Sequence, residues 1–163
     1  MGLELPGALE TILNDLGFTW PEVDESELLH LGSRWMQFGG TLNQAQQGVQ
    51  RVAEQVGQRN QGAAVDAFVT KWSGHNAPAQ VLGDAGNGVQ LGGAALELCA
   101  GVVLALKVTT IVNLTILAFE IVEALATAVP TFGASLAEIP VFKEVTSRII
   151  QALINEAVNA VMG

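Results

Sequence analysis

His30 and His75, the single Cys99, and the carboxylate pair Glu120 and Glu123 are the side chains of this chain best suited by type to do chemistry. A metal centre needs three or four converging ligands, and neither histidine has a cysteine or carboxylate cluster at ligand spacing around it. Both therefore read as solvated or capping residues. Glu120 and Glu123 stand three apart in an apolar run, the spacing of neighbours on one helix face. They are candidates for acid chemistry, and equally the wetter side of a helix. The glycine-rich Gly83-Asp84-Ala85-Gly86-Asn87-Gly88 lacks the Lys-Ser/Thr pair and the preceding strand of a phosphate-binding loop. No nucleophile elbow or dinucleotide fingerprint occurs. Cys99 lies in an apolar run, where a free thiol behaves as a small hydrophobe. The chain reads as a non-enzyme with no cofactor and no metal.

Composition narrows the field further. Of 163 residues 50% are hydrophobic and only 14% charged, against about a quarter charged in ordinary soluble domains. That excludes intrinsic disorder and supplies a substantial core. The formal net charge is −9, from 16 acidic and 7 basic side chains. Glu4, Glu10, Asp15, Glu22, Asp24, Glu25 and Glu27 all precede the first base, Arg34. No basic face exists to neutralise phosphates, so nucleic acid is not a partner.

The elements that position these residues follow from hydrophobic spacing. Leu9, Ile12, Leu13 and Leu16 fall at i, i+3, i+4, i+7, which predicts a helix over residues 6–17 with Pro6 at its start and Gly17 at its end. Pro21 forces an extended connector, and Asp24 with Glu27 three residues on is close to a capping box. Leu28, Leu31, Trp35, Phe38, Leu42, Ala45, Val49, Val52 and Val56 then alternate in steps of three and four, an a/d seam over four heptads. The other face is glutamine-rich. Gly32, Gly39, Gly40 and Gly48 each lower helix propensity by roughly 1 kcal/mol relative to Ala, so this helix relies on a close neighbour.

Residues 57–62, with glycines flanking polar residues, read as a turn. A second helix over 63–72 carries Val65, Phe68 and Trp72 along one stripe. Symmetry about Asn60 sets Val52 opposite Phe68 and Val49 opposite Trp72. Trp35 and Phe38 join that aromatic centre if the later chain folds back on them. Residues 73–78 break the helix, and 83–88 form another glycine-rich stretch. Val89 to Val129 is apolar on nearly every face, and Lys107 is the only charge between Leu98 and Phe119. About 20 such residues suffice to span a bilayer. Against a permanent span stand Lys107 at its middle and the lack of a flanking basic cluster. A helix buried all round in a bundle is the preferred reading, and membrane insertion the alternative. A last amphipathic helix runs from Val141 to Met162 through Phe142, Val145, Ile149, Leu153, Ala157 and Val161. The fold class is all-α: an antiparallel helical hairpin extended by a long apolar helix and a C-terminal amphipathic helix.

Trp72-Ser73-Gly74 is a Trp-x-Gly tripeptide between helical segments, after a heptad-patterned helix. This resembles the WxG helical-hairpin proteins of type VII secretion, whose interhelical turn carries that motif. Gly62-Ala63-Ala64-Val65-Asp66-Ala67-Phe68 is similar to the Gly-x-Ala-x-x-x-Phe pattern that follows the family's turn, and in that register Asn60 takes the tryptophan position. Two alignments thus compete for the tip, Trp72 or Asn60, and the end of the heptads at Val56 favours residues 57–62. Trp20-Pro21-Glu22-Val23-Asp24-Glu25, followed by Leu28 and Trp35, looks like the opening of the WxG-like N-terminal domain of actinobacterial polymorphic toxins, the outer membrane channel protein-like N-terminal domain among them. Residues 92–145 resemble that domain's hydrophobic half. The family's export signal, Tyr-x-x-x-Asp/Glu, has no counterpart in a chain without tyrosine. Phe119 and Glu123 keep an aromatic and an acid at that spacing in a hydrophobic setting.

The resemblance implies one WxG-like domain over residues 1–163: an acidic helix and connector (1–27), a heptad hairpin (28–82), and the apolar and C-terminal helices (89–163). It implies a non-catalytic type VII secretion leader or interaction domain that presents or chaperones a toxin or effector, with Trp20, Pro21, Trp35, Gly62, Phe68, Trp72 and Gly74 as its motif residues. The implied partners are a protein or a second copy bound through helical packing, and the type VII machinery. A membrane-inserting, pore-forming or channel domain is the alternative. The N-terminus has neither a basic n-region nor a cleavage site, so export by the type VII route or display at the cell surface is expected, with a cytoplasmic stage before it. A toxin beyond residue 163 and a stand-alone relative are both compatible with this reading.

Overall fold

Apolar spacing and backbone punctuation cut the chain into five α-helices in the computed structural model, which describes residues 2–162. The expected domain limits, Met1 and Gly163, lie outside the described residues. The helices are α1 (Gly7–Asp15), α2 (Glu25–Arg59), α3 (Ala63–Trp72), α4 (Pro78–Ala126) and α5 (Ile139–Met162), with a short 3-10 turn at Ala134–Glu138 before α5. The chain is 82% helical and no strand occurs among the described residues, so the fold is the expected all-α, hairpin-type one. Two compact units are present: residues 1–27 with 99–163, and residues 28–98.

In the first unit, Leu13 of α1, Leu114 of α4 and Ile150 of α5 form the buried centre, and Leu9, Ile12, Leu16, Phe18, Trp20 and Ile154 pack around it. The four apolar positions expected on α1 are thus the ones that face inward. Gly17, at φ +86°, takes the left-handed conformation that ends α1. Its N–H donates to the Asn14 carbonyl (2.9 Å) and that of Phe18 to the Leu13 carbonyl (3.2 Å). At the far end of α4, the buried Ser135 hydroxyl donates to the Ala124 carbonyl (2.7 Å) and satisfies a group the helix leaves open. Pro140 sits in the first turn of α5, where a missing N–H costs nothing. One stripe differs from expectation. Val145, Ile149 and Val161 are exposed, and Thr146 and Ile150 are the buried residues of α5. Packing Ile150 and Ile154 around Leu13 rotates the helix one residue from its most apolar stripe.

In the second unit, α2 runs antiparallel to α3 and to the first part of α4. Chain reversal falls between Arg59 and Ala63, with Gly62 at φ +121°. The turn therefore lies within the expected 57–62, although α2 stays helical through Arg59. The glycine-rich segment 83–88, expected as a break, is continuous helix inside α4. Its central glycine, Gly86, is there for close approach, whereas Gly88 has nothing within 4 Å. A Cβ on Gly86 would stand 3.1 Å from the Gly39 carbonyl, and one on Gly39 would stand 2.6 Å from the Gly86 carbonyl.

Candidate interaction surface

The hairpin of the second unit closes on small and polar residues rather than on its heptad seam. A Cβ on Gly32 would lie 2.7 Å from the Gly93 carbonyl, and one on Gly93 would lie 2.8 Å from Met36 Cγ. Asn43 meets Gly86, Gln46 meets Gly83, and Gly57 meets Val69. Ala53 is buried. The inward set on α2 is therefore Gly32, Met36, Gly39, Asn43, Gln46, Gln50, Ala53 and Gly57. Each follows an expected seam residue by one position, a rotation of about 100° about the helix axis. The expected register is corrected accordingly. Leu31, Trp35, Phe38, Val49, Val52 and Val56 are exposed, with Trp35 at 45%, Phe38 at 56% and Val52 at 62% of their full surface. Backbone contact across the glycines places the two helices too close for tryptophan and phenylalanine between them. The displaced residues form an apolar ridge along one side of α2. Trp35 leans over Gly92, where an added Cβ would meet its ring at 3.3 Å.

The Trp-x-Gly tripeptide sits at the C-terminal end of α3, beyond the hairpin tip. Phe68 and Trp72 stack with ring centroids 5.5 Å apart and planes 26° from parallel. Trp72 Nε1 donates to Gln50 Oε1 at 3.0 Å. The expected partners Val49 and Val52 stay outside. Gln50, Ala53 and Gly57 line a groove of about 310 Å³ with Phe68, Val69 and Trp72. The turn that follows is held by backbone bonds: the Gly74 N–H donates to the Lys71 carbonyl (3.2 Å) and the Ala77 N–H to the Gly74 carbonyl (2.9 Å). A Cβ on Gly74 would stand 3.2 Å from the Lys71 carbonyl. Gly62 precedes α3, and its carbonyl accepts from Val65 N (2.9 Å) and Asp66 N (3.1 Å). Trp35, Gly62, Phe68, Trp72 and Gly74 thus all belong to this hairpin. Phe68 and Trp72 touch each other, and Trp35 touches neither the groove nor its tryptophan.

Trp20 and Pro21 belong to the first unit, where they serve a different feature. Lys107, the one charge between Leu98 and Phe119, is 2% exposed. Its ammonium donates to Glu25 Oε2 (2.8 Å) and to the Val23 carbonyl (2.7 Å), and it stands 5.7 Å from the centre of the Trp20 ring. Trp20 Nε1 in turn donates to the Leu3 carbonyl (3.3 Å), and the Leu3 N–H donates to Glu25 Oε1. The half-buried Pro21 holds the connector extended between these contacts. Asp24 caps α2 as expected, its Oδ1 accepting from Ser26 N (2.9 Å) and Glu27 N (3.2 Å). The Lys107 hydrogen bond holds the Glu25 carboxyl below the usual carboxylate range, against the opposing effect of burial. Sequence reasoning missed this clamp. A lone lysine in an apolar helix and an acid-rich connector were its two signals, 82 residues apart.

His30 and His75 are exposed on α2 and in the turn before α4, Glu123 is exposed on α4, and Cys99 is half-buried. The model of the WXG100 like domain family matches residues 6–149. No curated protein and no solved structure matches the chain. Domains of this family are non-enzymatic helical proteins associated with type VII secretion. With most of its length matched, this chain belongs to the WXG100 like domain family.

Proposed function

We propose that the chain is a non-catalytic leader or interaction domain of type VII secretion, which pairs through the α2 ridge with a helical protein or a second copy and presents or chaperones a toxin or effector. The observation that carries this reading is the exposed ridge of Leu31, Trp35, Phe38, Val49, Val52 and Val56 beside the glycine-closed seam. Fully burying one such side chain is worth about 1.5–3 kcal/mol, and with 37–62% of each still exposed about half of that remains to be gained. Six in a row therefore contribute together to a specific contact, against the cost of association. The small residues of the seam leave this ridge as the large apolar surface of α2. The domain is cytoplasmic until it is exported or displayed at the cell surface, and its likeness to the N-terminal domains of polymorphic toxins fits a leader role.

Export is tested by following the chain in culture medium with and without the type VII apparatus. Loss of extracellular protein on deleting the apparatus is the expected result, and unchanged secretion overturns the reading. A Trp35→Asp/Phe38→Asp double variant should fold, since both side chains are substantially exposed, and should fail to be exported. Normal export of that variant would remove the ridge from the mechanism.

A further inference from the structure

We propose that the outward face of α4 from Val108 to Val122, together with the tip at Phe132, docks on the hydrocarbon boundary of an uncharged lipid bilayer, embedding one face of the helix without crossing. Val108, Val112, Ile116, Phe119 and Val122 are all exposed, Phe119 by 74%. Their helix holds an 18-residue stretch of mean hydropathy 2.1. At 1.5 Å per residue the face is about 21 Å long. Between Val108 and Val122 its polar side chain is Thr115, which gives its hydroxyl to the Ile111 carbonyl of the same helix (2.8 Å) and so presents no open donor; the exposed Glu123 closes the C-terminal end of the strip. A protein partner usually meets a polar rim around an apolar centre; from Val108 to Val122 this face carries no charge, and its carboxylate stands at one end only.

Beyond α4, Phe132 is held at φ +53° with its ring entirely exposed, and Val129 beside it is exposed too. A bulky residue in the left-handed region is strained, and such outliers cluster at functional sites. Here the conformation holds an aromatic ring wholly in solvent, and contact with an apolar medium would bury it. The other side of α4 is committed. Lys107, Thr110, Leu114 and Leu117 are buried in the first unit, so one face alone is free for lipid. Charge narrows the occupants. The first unit carries twelve acidic and three basic side chains, the whole −9 of the chain. A second copy approaching with the same charge, or an anionic lipid surface, is repelled, whereas a zwitterionic bilayer is not.

The test is flotation of the full chain with phosphatidylcholine vesicles loaded with a self-quenching dye. The protein should float with the vesicles while the dye is retained. Added phosphatidylglycerol should weaken binding. Phe119→Asp and Phe132→Asp should each lower the vesicle-bound fraction at least tenfold, with far-UV circular dichroism unchanged because both side chains stand outside the packed core. Protein that stays in the aqueous fraction at every lipid concentration overturns the proposal, as do variants that float like the parent. Dye release would mean that the helix crosses the bilayer, and refutes the one-face geometry. A lipid-free dimer that Phe119→Asp dissociates would assign the strip to a second copy instead. None of these outcomes depends on the α2 ridge or on export.

Discussion

Glu25→Gln is the most informative single change in the first unit. The substitution keeps the side-chain shape but removes the counter-charge and turns one of two acceptor oxygens into a donor, so that the amide NH2 faces either the Lys107 ammonium or the Leu3 N–H while the Val23 carbonyl and the Trp20 ring persist. Breaking one side of a buried ion pair costs about 3–5 kcal/mol. Because those two partners persist, the lower end applies, about 3 kcal/mol. At 2–4 °C per kcal/mol for a chain of this size, Tm should fall by about 6–12 °C at neutral pH. The sign of the pH dependence follows from the Glu25 carboxyl, which is held below its ordinary 4.5 mainly by the Lys107 hydrogen bond. A depressed carboxylate contributes stability that is fully present above its unfolded value and is lost as pH falls through its folded value. The gap between parent and variant should therefore be constant above about pH 5 and close as pH drops below 4.5. Thermal melts followed by circular dichroism across that range are the assay. A double-mutant cycle with Lys107→Met completes it: replacing both partners by uncharged groups should cost less than the two single changes added together, by 1 kcal/mol or more. Additive costs, or a gap that persists unchanged at pH 3, would refute the clamp.

The seam makes an opposite-sign pair of glycine predictions. Gly39→Ala should destabilise by about 1–3 kcal/mol through overpacking against the Gly86 carbonyl, whereas Gly48→Ala, with nothing within 4 Å, should stabilise by up to about 1 kcal/mol; urea melts of the two variants decide it. Phe68→Ala should cost about 2 kcal/mol, a half-buried share of the 3–5 kcal/mol typical of a core aromatic, and Gln47→Ala and Val52→Ala should be near neutral. Equal shifts for Phe68 and Val52 would restore the expected heptad register. Trp35→Ala should cost about 2 kcal/mol, a fall in Tm of about 4–8 °C, because just over half of the side chain is covered where the ring rests on Gly92; differential scanning calorimetry reads this directly.

Local chemistry was legible where a rule acts over a few residues. Asp24 as the cap of α2, Gly17 as the end of α1, the reversal before Ala63 and the inward face of α1 all follow from spacing and backbone preference within one turn or two. The Trp-x-Gly tripeptide and the heptads were likewise enough to reach the family. The Lys107 clamp was not legible, since its partners come from a connector whose path is set by tertiary packing. The reading of Lys107 as a single charge in an otherwise transferable helix needed the position of Glu25 to become a pair.

The register errors on α2 and α5 have one physical source. Periodicity identifies the most apolar stripe of a helix, and the inference that this stripe faces inward assumes that apolar area decides the contact. On α2 the contact is decided instead by how near two backbones come. Glycines at 32 and 39 face glycines at 93 and 86, and at that separation dispersion between backbones and side-chain stems replaces burial of large side chains. The tryptophan and phenylalanine one step away cannot enter such a seam, so a hairpin that closes on glycine necessarily carries its large residues on its flank. In the sequence, Gly32, Gly39, Gly40 and Gly48 count as a weakness that a close neighbour must offset. The same observation, taken one step further, fixes the register: where two helices both place glycines seven positions apart, those residues mark the seam. The adjacent apolar stripe then marks the surface left for something else.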